Sequence, residues 1–140
     1  MSAQDPAARA AAPSPRPMLV LVVEDDEKTR KLVGQVVRKG GYRAVLAEDG
    51  IQAASVLKKA RPDLIILDIR MPRMDGFKLL ELLQRYETAA SIPVVMLTAS
   101  DSPLDLDRAL RLGVQDYLVK PISPKALLLK VRALLKPPAS

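Results

Sequence analysis

Between residues 18 and 120 the chain alternates short β-branched apolar runs with longer segments in which apolar positions recur at helical spacing. The runs are "MLVLVV", "RAVLA", "LIILD", "PVVML" and "DYLVK". The first, third and fourth are apolar throughout, as expected of strands covered on both faces. Helical periodicity follows each run, at about 27–39, 50–60, 75–86, 103–112 and 124–135. The punctuation agrees. Gly40-Gly41 can stop the first helix, Asp49 can cap the second, and Pro124 occupies a first-turn position where proline is tolerated. Strands alternating with crossover helices predict an α/β domain with a five-stranded parallel sheet, doubly wound. In such sheets ligands bind beyond the carboxyl ends of the strands.

The flanks differ. Residues 1–17, "MSAQDPAARAAAPSPRP", are rich in Ala and Pro without apolar period and read as a disordered leader. Residues 18–136 form the expected domain, and 137–140 read as a tail or the start of a linker. At 140 residues the chain has the length of one ordinary domain.

Composition narrows the chemistry. With 22 Lys and Arg against 16 Asp and Glu the net charge is +6. The basic residues are scattered and the aromatics are only three Tyr and one Phe, so a nucleic-acid-binding surface is not expected. Cysteine and histidine are both absent, which excludes disulfides, thiol nucleophiles and every triad built on histidine. Any metal should be a hard, oxygen-liganded one, Mg²⁺ or Mn²⁺. No apolar stretch approaches the roughly 20 residues that span a bilayer, so a cytoplasmic location without membrane contact is expected.

At the carboxyl ends of the five runs stand Glu24, Asp25 and Asp26, then Asp68, Thr98 and Lys120. Clustered carboxylates need a compensating cation. With a metal and Lys120 beside it, Asp68 would become a carboxylate able to attack phosphorus. Singly, each residue has an ordinary reading as a helix cap or a solvated charge. Only their joint placement argues for chemistry, and the residues alone leave the division of labour among the three adjacent acids open.

The stretches "LVLVVEDD", "PDLIILDIRMPRMDGF", "IPVVMLTAS" and "GVQDYLVKPIS", in this order, resemble the receiver domain of two-component response regulators, a family related to the bacterial chemotaxis response regulator. The resemblance covers about residues 18–135 and implies five helices around the flavodoxin-like strand order 2-1-3-4-5. It implies that Asp68 accepts a phosphoryl group from a histidine kinase or phosphotransfer protein. It also implies that Lys120 and Thr98 contact that group, that Tyr117 is a switch residue, and that Lys120-Pro121 is a cis peptide. Arg70 would ligate the metal through its backbone carbonyl. In the family an Arg of the first helix lies five residues after the directly metal-bound acid. Arg30 therefore points to Asp25 as ligand with Glu24 acting through water, and leaves Asp26 to cap the helix; the alternative is an Asp25 and Asp26 pair. Further implications are a downstream protein target or fused output domain, a switching face on the fourth helix, fifth strand and fifth helix, and a phosphorylation-dependent homodimer. On the fifth helix Leu129 points away from the apolar face of Leu127, Val131, Leu134 and Leu135 and is the interface candidate.

Rival readings remain. A phosphorylation-independent pseudo-receiver would act only as an interaction module. A haloacid dehalogenase-type phosphatase would need a second Asp where Arg70 stands. A flavodoxin-like electron carrier would not place an acidic loop against a phosphate.

Overall fold

The computed structural model describes residues 17–69, 76–85, 91–99 and 103–135. The expected leader (save Pro17), Arg70 and the tail lie outside them.

Five strands, β1 (Leu19–Val23), β2 (Arg43–Ala47), β3 (Leu64–Asp68), β4 (Val94–Thr98) and β5 (Asp116–Val119), alternate with five helices. These are α1 (Glu27–Lys39), α2 (Gly50–Lys59), α3 (Gly76–Arg85), α4 (Pro103–Arg111) and α5 (Pro124–Leu134). All pairings are parallel, in the order β2-β1-β3-β4-β5. This is the fold read from the sequence, with element ends displaced by at most one residue.

Alternation along the strands sorts the core into two layers, because successive side chains point to opposite faces. Leu21 and Val23 of β1, Ile65 and Leu67 of β3, and Val94 and Met96 of β4 pack with Ala53, Leu80, Leu83 and Ala109 of α2, α3 and α4. Val20, Val22, Leu64, Ile66, Val95 and Leu97 pack instead with α1 and α5 through Val33, Val37, Leu127 and Val131. Strands β1, β3 and β4 are buried along their whole length, whereas β2 and β5 are the partly exposed edges. The switch in strand order falls between β1 and β3, so the carboxyl ends of these two strands flank the crevice where this architecture binds ligands.

Candidate functional site

Strand β1 ends at Val23, and the next residue continues its ladder, the Glu24 N–H donating to Ala47 O at 3.0 Å. That bond holds Glu24 inward, with 0 % exposure, while Asp25 stays exposed. Asp26 takes the cap of α1: its carboxylate accepts from the Thr29 N–H at 2.9 Å and the Thr29 hydroxyl at 2.8 Å. These two bonds pull the Asp26 pKa below the usual carboxylate range. Arg30, one turn along α1, reaches back and donates to Glu24 O at 3.0 Å and Asp25 O at 3.2 Å. The loop carrying the acids is thereby pinned by the helix it precedes.

Asp68 closes β3 with 2 % exposure, and Thr98 closes β4 with 1 %. The Lys120 N–H donates to Thr98 O at 2.7 Å, which sets the lysine beside the end of β4, and the Lys120-Pro121 peptide is cis. Lys120 Nζ lies 2.7 Å from Glu24 Oε1 and 3.3 Å from Asp68 Oδ2. Carboxylate oxygens of Glu24, Asp25 and Asp68 all lie within 4.8 Å of one another. Tyr117 stands apart on β5 with 37 % exposure, and Leu129 on α5 with 58 %. Thus the structure gathers Glu24, Asp25, Asp68 and Lys120 into one cluster, brings Thr98 beside Lys120, and leaves Tyr117 and Leu129 on the outer face. The expected Arg70 carbonyl lies outside the described residues.

The cluster holds three carboxylates against one ammonium. Burial pushes the Glu24 pKa up, the adjoining Asp68 carboxylate adds to the rise, and Lys120 and the Asp26 N–H only partly oppose it. Asp25, although exposed, is likewise raised, by the partial desolvation of its carboxylate beside the cluster and then by Glu24. For Lys120, burial works to lower the pKa, but the combined pull of Glu24 and Asp68 overrides it and the pKa is raised. Glu24 Oε1, though paired in charge with Lys120, is buried without an aligned hydrogen bond. An oxygen-only donor set with surplus negative charge and an unsatisfied buried oxygen fits a hard divalent cation.

Two features of this site were not legible beforehand. The Glu24 to Lys120 pair depends on how far a side chain reaches across two strands, which spacing does not reveal. The second is the steric role of Gly76. Here its N–H donates to Ile69 O at 2.8 Å, and a Cβ at this position would fall 2.5 Å from Asp68 O and from Ile69 Cα. The start of α3 therefore presses directly on the backbone of Asp68.

A family model described as the response regulator receiver domain matches residues 20–132. The chain belongs to this receiver-domain family. Receiver domains are signalling domains of two-component systems rather than conventional enzymes. PhoB of Klebsiella pneumoniae, a phosphate regulon transcriptional regulatory protein, is 40% identical over 117 residues, 84% of this chain and 51% of that relative. The chain spans about half the length of the curated relatives it matches. Among solved structures, the chemotaxis response regulator CheY4 of Vibrio cholerae superposes with a TM-score of 0.80 at 32% identity, covering 86% of this receiver and 100% of that chain. The receiver domain of the sensor histidine kinase PA1611 from Pseudomonas aeruginosa PAO1, solved with a magnesium ion coordinated in its active site cleft, gives 0.77 at 30% identity, covering 85% and 98%. Among the described residues of this receiver, no helix is long and apolar enough to cross a membrane.

Proposed function

We propose that this receiver accepts a phosphoryl group on Asp68 in a Mg²⁺-dependent reaction and relays the event to a partner or output domain from its α4, β5 and α5 face. The observation that carries this reading is the cluster of Glu24, Asp25 and Asp68 with Lys120 at the carboxyl edge of the sheet. Asp25 and Asp68 would hold the metal directly, with the Arg70 carbonyl as a further ligand and Glu24 acting through water. Once bound, the cation supplies the positive charge that offsets the clustered carboxylates and the oxygens of the transferring phosphoryl group.

An Asp68 carboxylate oxygen attacks the phosphorus of a phosphohistidine or small phosphoryl donor, the new O–P bond forming as the bond to the donor breaks. Lys120, held beside Asp68, donates to the phosphoryl oxygens, and Thr98, at the end of the neighbouring strand, would contribute its hydroxyl to the same group. The chain has no histidine, so the donor comes from a histidine kinase, a phosphotransfer protein or a small molecule. The reaction acts on the protein itself, and the setting that suits such a partner is the cytoplasm.

The outer face suits a docking role. Seven large hydrophobic residues are exposed among those described, and five of them, Leu104, Leu110, Tyr117, Val119 and Leu129, lie on α4, β5 and α5. Phosphoryl contacts from Thr98 and Lys120 would bias this face between two arrangements, with Tyr117 changing sides. Sedimentation with and without phosphodonor checks the homodimer: Leu129→Ala should lower the donor-dependent dimer fraction, and an unchanged fraction removes Leu129 from the interface.

Intact-mass measurement after acetyl phosphate and Mg²⁺ tests the reading. A labile adduct of about 80 Da, one added phosphoryl group, is expected on wild type and absent from Asp68→Asn. No adduct with any donor would favour the pseudo-receiver.

A further inference from the structure

Helices α1 and α5 pack on one face of the sheet, and nearly all of their charge has one sign. Helix α1 carries five Lys and Arg and α5 three, against a single acid, Glu27. Their approach is closest at Gly40, where a Cβ would fall 2.5 Å from Leu128 Cδ1. On α5, Lys125, Leu128 and Arg132 follow one another at helical spacing, so the two cations flank the leucine that turns toward α1. On α1, Lys28 and Lys39 share a side of the helix three turns apart, about 16 Å, and Lys39 adjoins Gly40. Both helices return antiparallel to the same parallel sheet and so run in one direction. Four exposed cations therefore border one seam in two rows.

The other cations of these helices are engaged. Lys31 pairs with Glu27 at 3.9 Å and Lys130 with Asp116 at 2.9 Å, while Arg30 and Arg38 donate to backbone carbonyls. Among the described residues no carboxylate pairs with Lys28, Lys39, Lys125 or Arg132. Asp26, near Lys28 in the chain, gives its carboxylate to Thr29. The helix dipole accounts for Lys39 and Arg132, which stand in the last turns. It does not account for Lys28 and Lys125, each the second residue of its helix, where the dipole disfavours a cation.

The surroundings select the anion. A protein interface is built round an apolar centre, and a helix lying on a membrane needs an apolar face. Here Val33, Val36 and Val37, the apolar side of α1, are buried in the core, and Leu32 and Leu129 are the only large apolar side chains of the two helices that are exposed. A single strand would want aromatic platforms, and neither helix carries an aromatic residue. A duplex, held through its phosphates by charge alone, needs neither. Along the chain these cations are scattered and argue for no nucleic-acid surface; the fold gathers them.

We propose that the α1–α5 seam makes a sequence-independent contact with the phosphate backbone of duplex DNA through Lys28, Lys39, Lys125 and Arg132. Fluorescence anisotropy of the full chain with a labelled mixed-sequence duplex of about two helical turns, roughly 21 base pairs, reads this directly. Saturable binding tighter than about 100 µM at low salt is expected, with log Kd rising against log salt at a slope of about 3.6 for four phosphate contacts. The single strand should bind more weakly. Lys28→Gln with Lys39→Gln, or Lys125→Gln with Arg132→Gln, should each lower the slope by about 2. Lys58→Gln with Lys59→Gln removes the same charge from α2, on the opposite face of the sheet, and should leave the slope unchanged. Melting followed by circular dichroism checks that the variants fold; the single substitutions, each expected to lower the slope by about 1, replace any pair that does not. No saturable binding, a slope indifferent to the α1 and α5 changes, or an equal fall in the α2 variant would each overturn the proposal. Tighter binding of a glutamate-rich peptide or an anionic vesicle than of the duplex would overturn it as well, assigning the seam to an acidic protein or a membrane.

Discussion

Replacing Lys120 by methionine removes the ammonium while keeping most of the aliphatic stem, and so isolates the charge. In the native protein that charge lies 2.7 Å from Glu24 and 3.3 Å from Asp68. At an effective dielectric near 20 the closer contact alone corresponds to about 6 kcal/mol of attraction, most of it offset by the cost of taking both ions out of water. Breaking a buried pair by deleting one partner typically costs about 3–5 kcal/mol. Glu24 is fully buried but the Lys120 side chain keeps 24% exposure, which places the loss lower, at about 2–3 kcal/mol. For a domain of this size the metal-free protein should then melt roughly 8–12 °C lower. Protonation of Glu24, whose pKa is already raised, offers an escape, so the loss should shrink as the pH falls. Urea denaturation in EDTA, run as a double-mutant cycle with Glu24→Gln, measures the coupling. The neutral partner should recover much of the stability lost in Lys120→Met, because the surplus negative charge is then gone. A loss below about 0.5 kcal/mol, or a loss that Glu24→Gln does not relieve, would refute the claim that Lys120 counterbalances the cluster.

Two other outcomes follow from the same geometry. Gly76→Ala drives a methyl group into the backbone of Asp68 and Ile69. A destabilisation of about 1–3 kcal/mol with slower phosphorylation by acetyl phosphate is expected, and a variant that matches wild type in both would mean that α3 does not press on this loop. The pH dependence has a definite sign. Glu24 and Asp25 have raised pKa values when folded, so above their unfolded values of about 4.3 and 3.9 the folded chain holds more protons than the unfolded one. Metal-free stability should therefore fall as the pH rises through the raised pKa values. Asp26, lowered by its cap, works the other way, but it is exposed and its effect is small. Because Mg²⁺ binds the ionised carboxylates, its gain in Tm should grow over the same window. A gain independent of pH, in melting curves with EDTA and with Mg²⁺, would contradict the assignment.

The fold was legible because two periods are written into the chain. Val20 to Val23 alternate faces with period two, and Val33, Val36 and Val37 mark one side of α1. The capping role of Asp26 also had a local signal, since a residue preceding a helix gains from capping it, and Asp26 does so. What the sequence concealed depends on distance across the fold. Lys120 meets Glu24 96 positions earlier in the chain. Gly76 shows its steric necessity only against the Asp68 carbonyl.

The central claim is that Asp68, and neither of its acidic neighbours, carries the phosphoryl group. Borodeuteride reduction of the freshly phosphorylated protein converts an aspartyl phosphate into deuterated homoserine, and a glutamyl phosphate into the deuterated alcohol one methylene longer, and peptide mass spectrometry locates either. The account predicts deuterated homoserine at position 68 alone, and only when Mg²⁺ was present during phosphorylation. Label at Glu24 or Asp25, or label at position 68 formed equally well in EDTA, would contradict it.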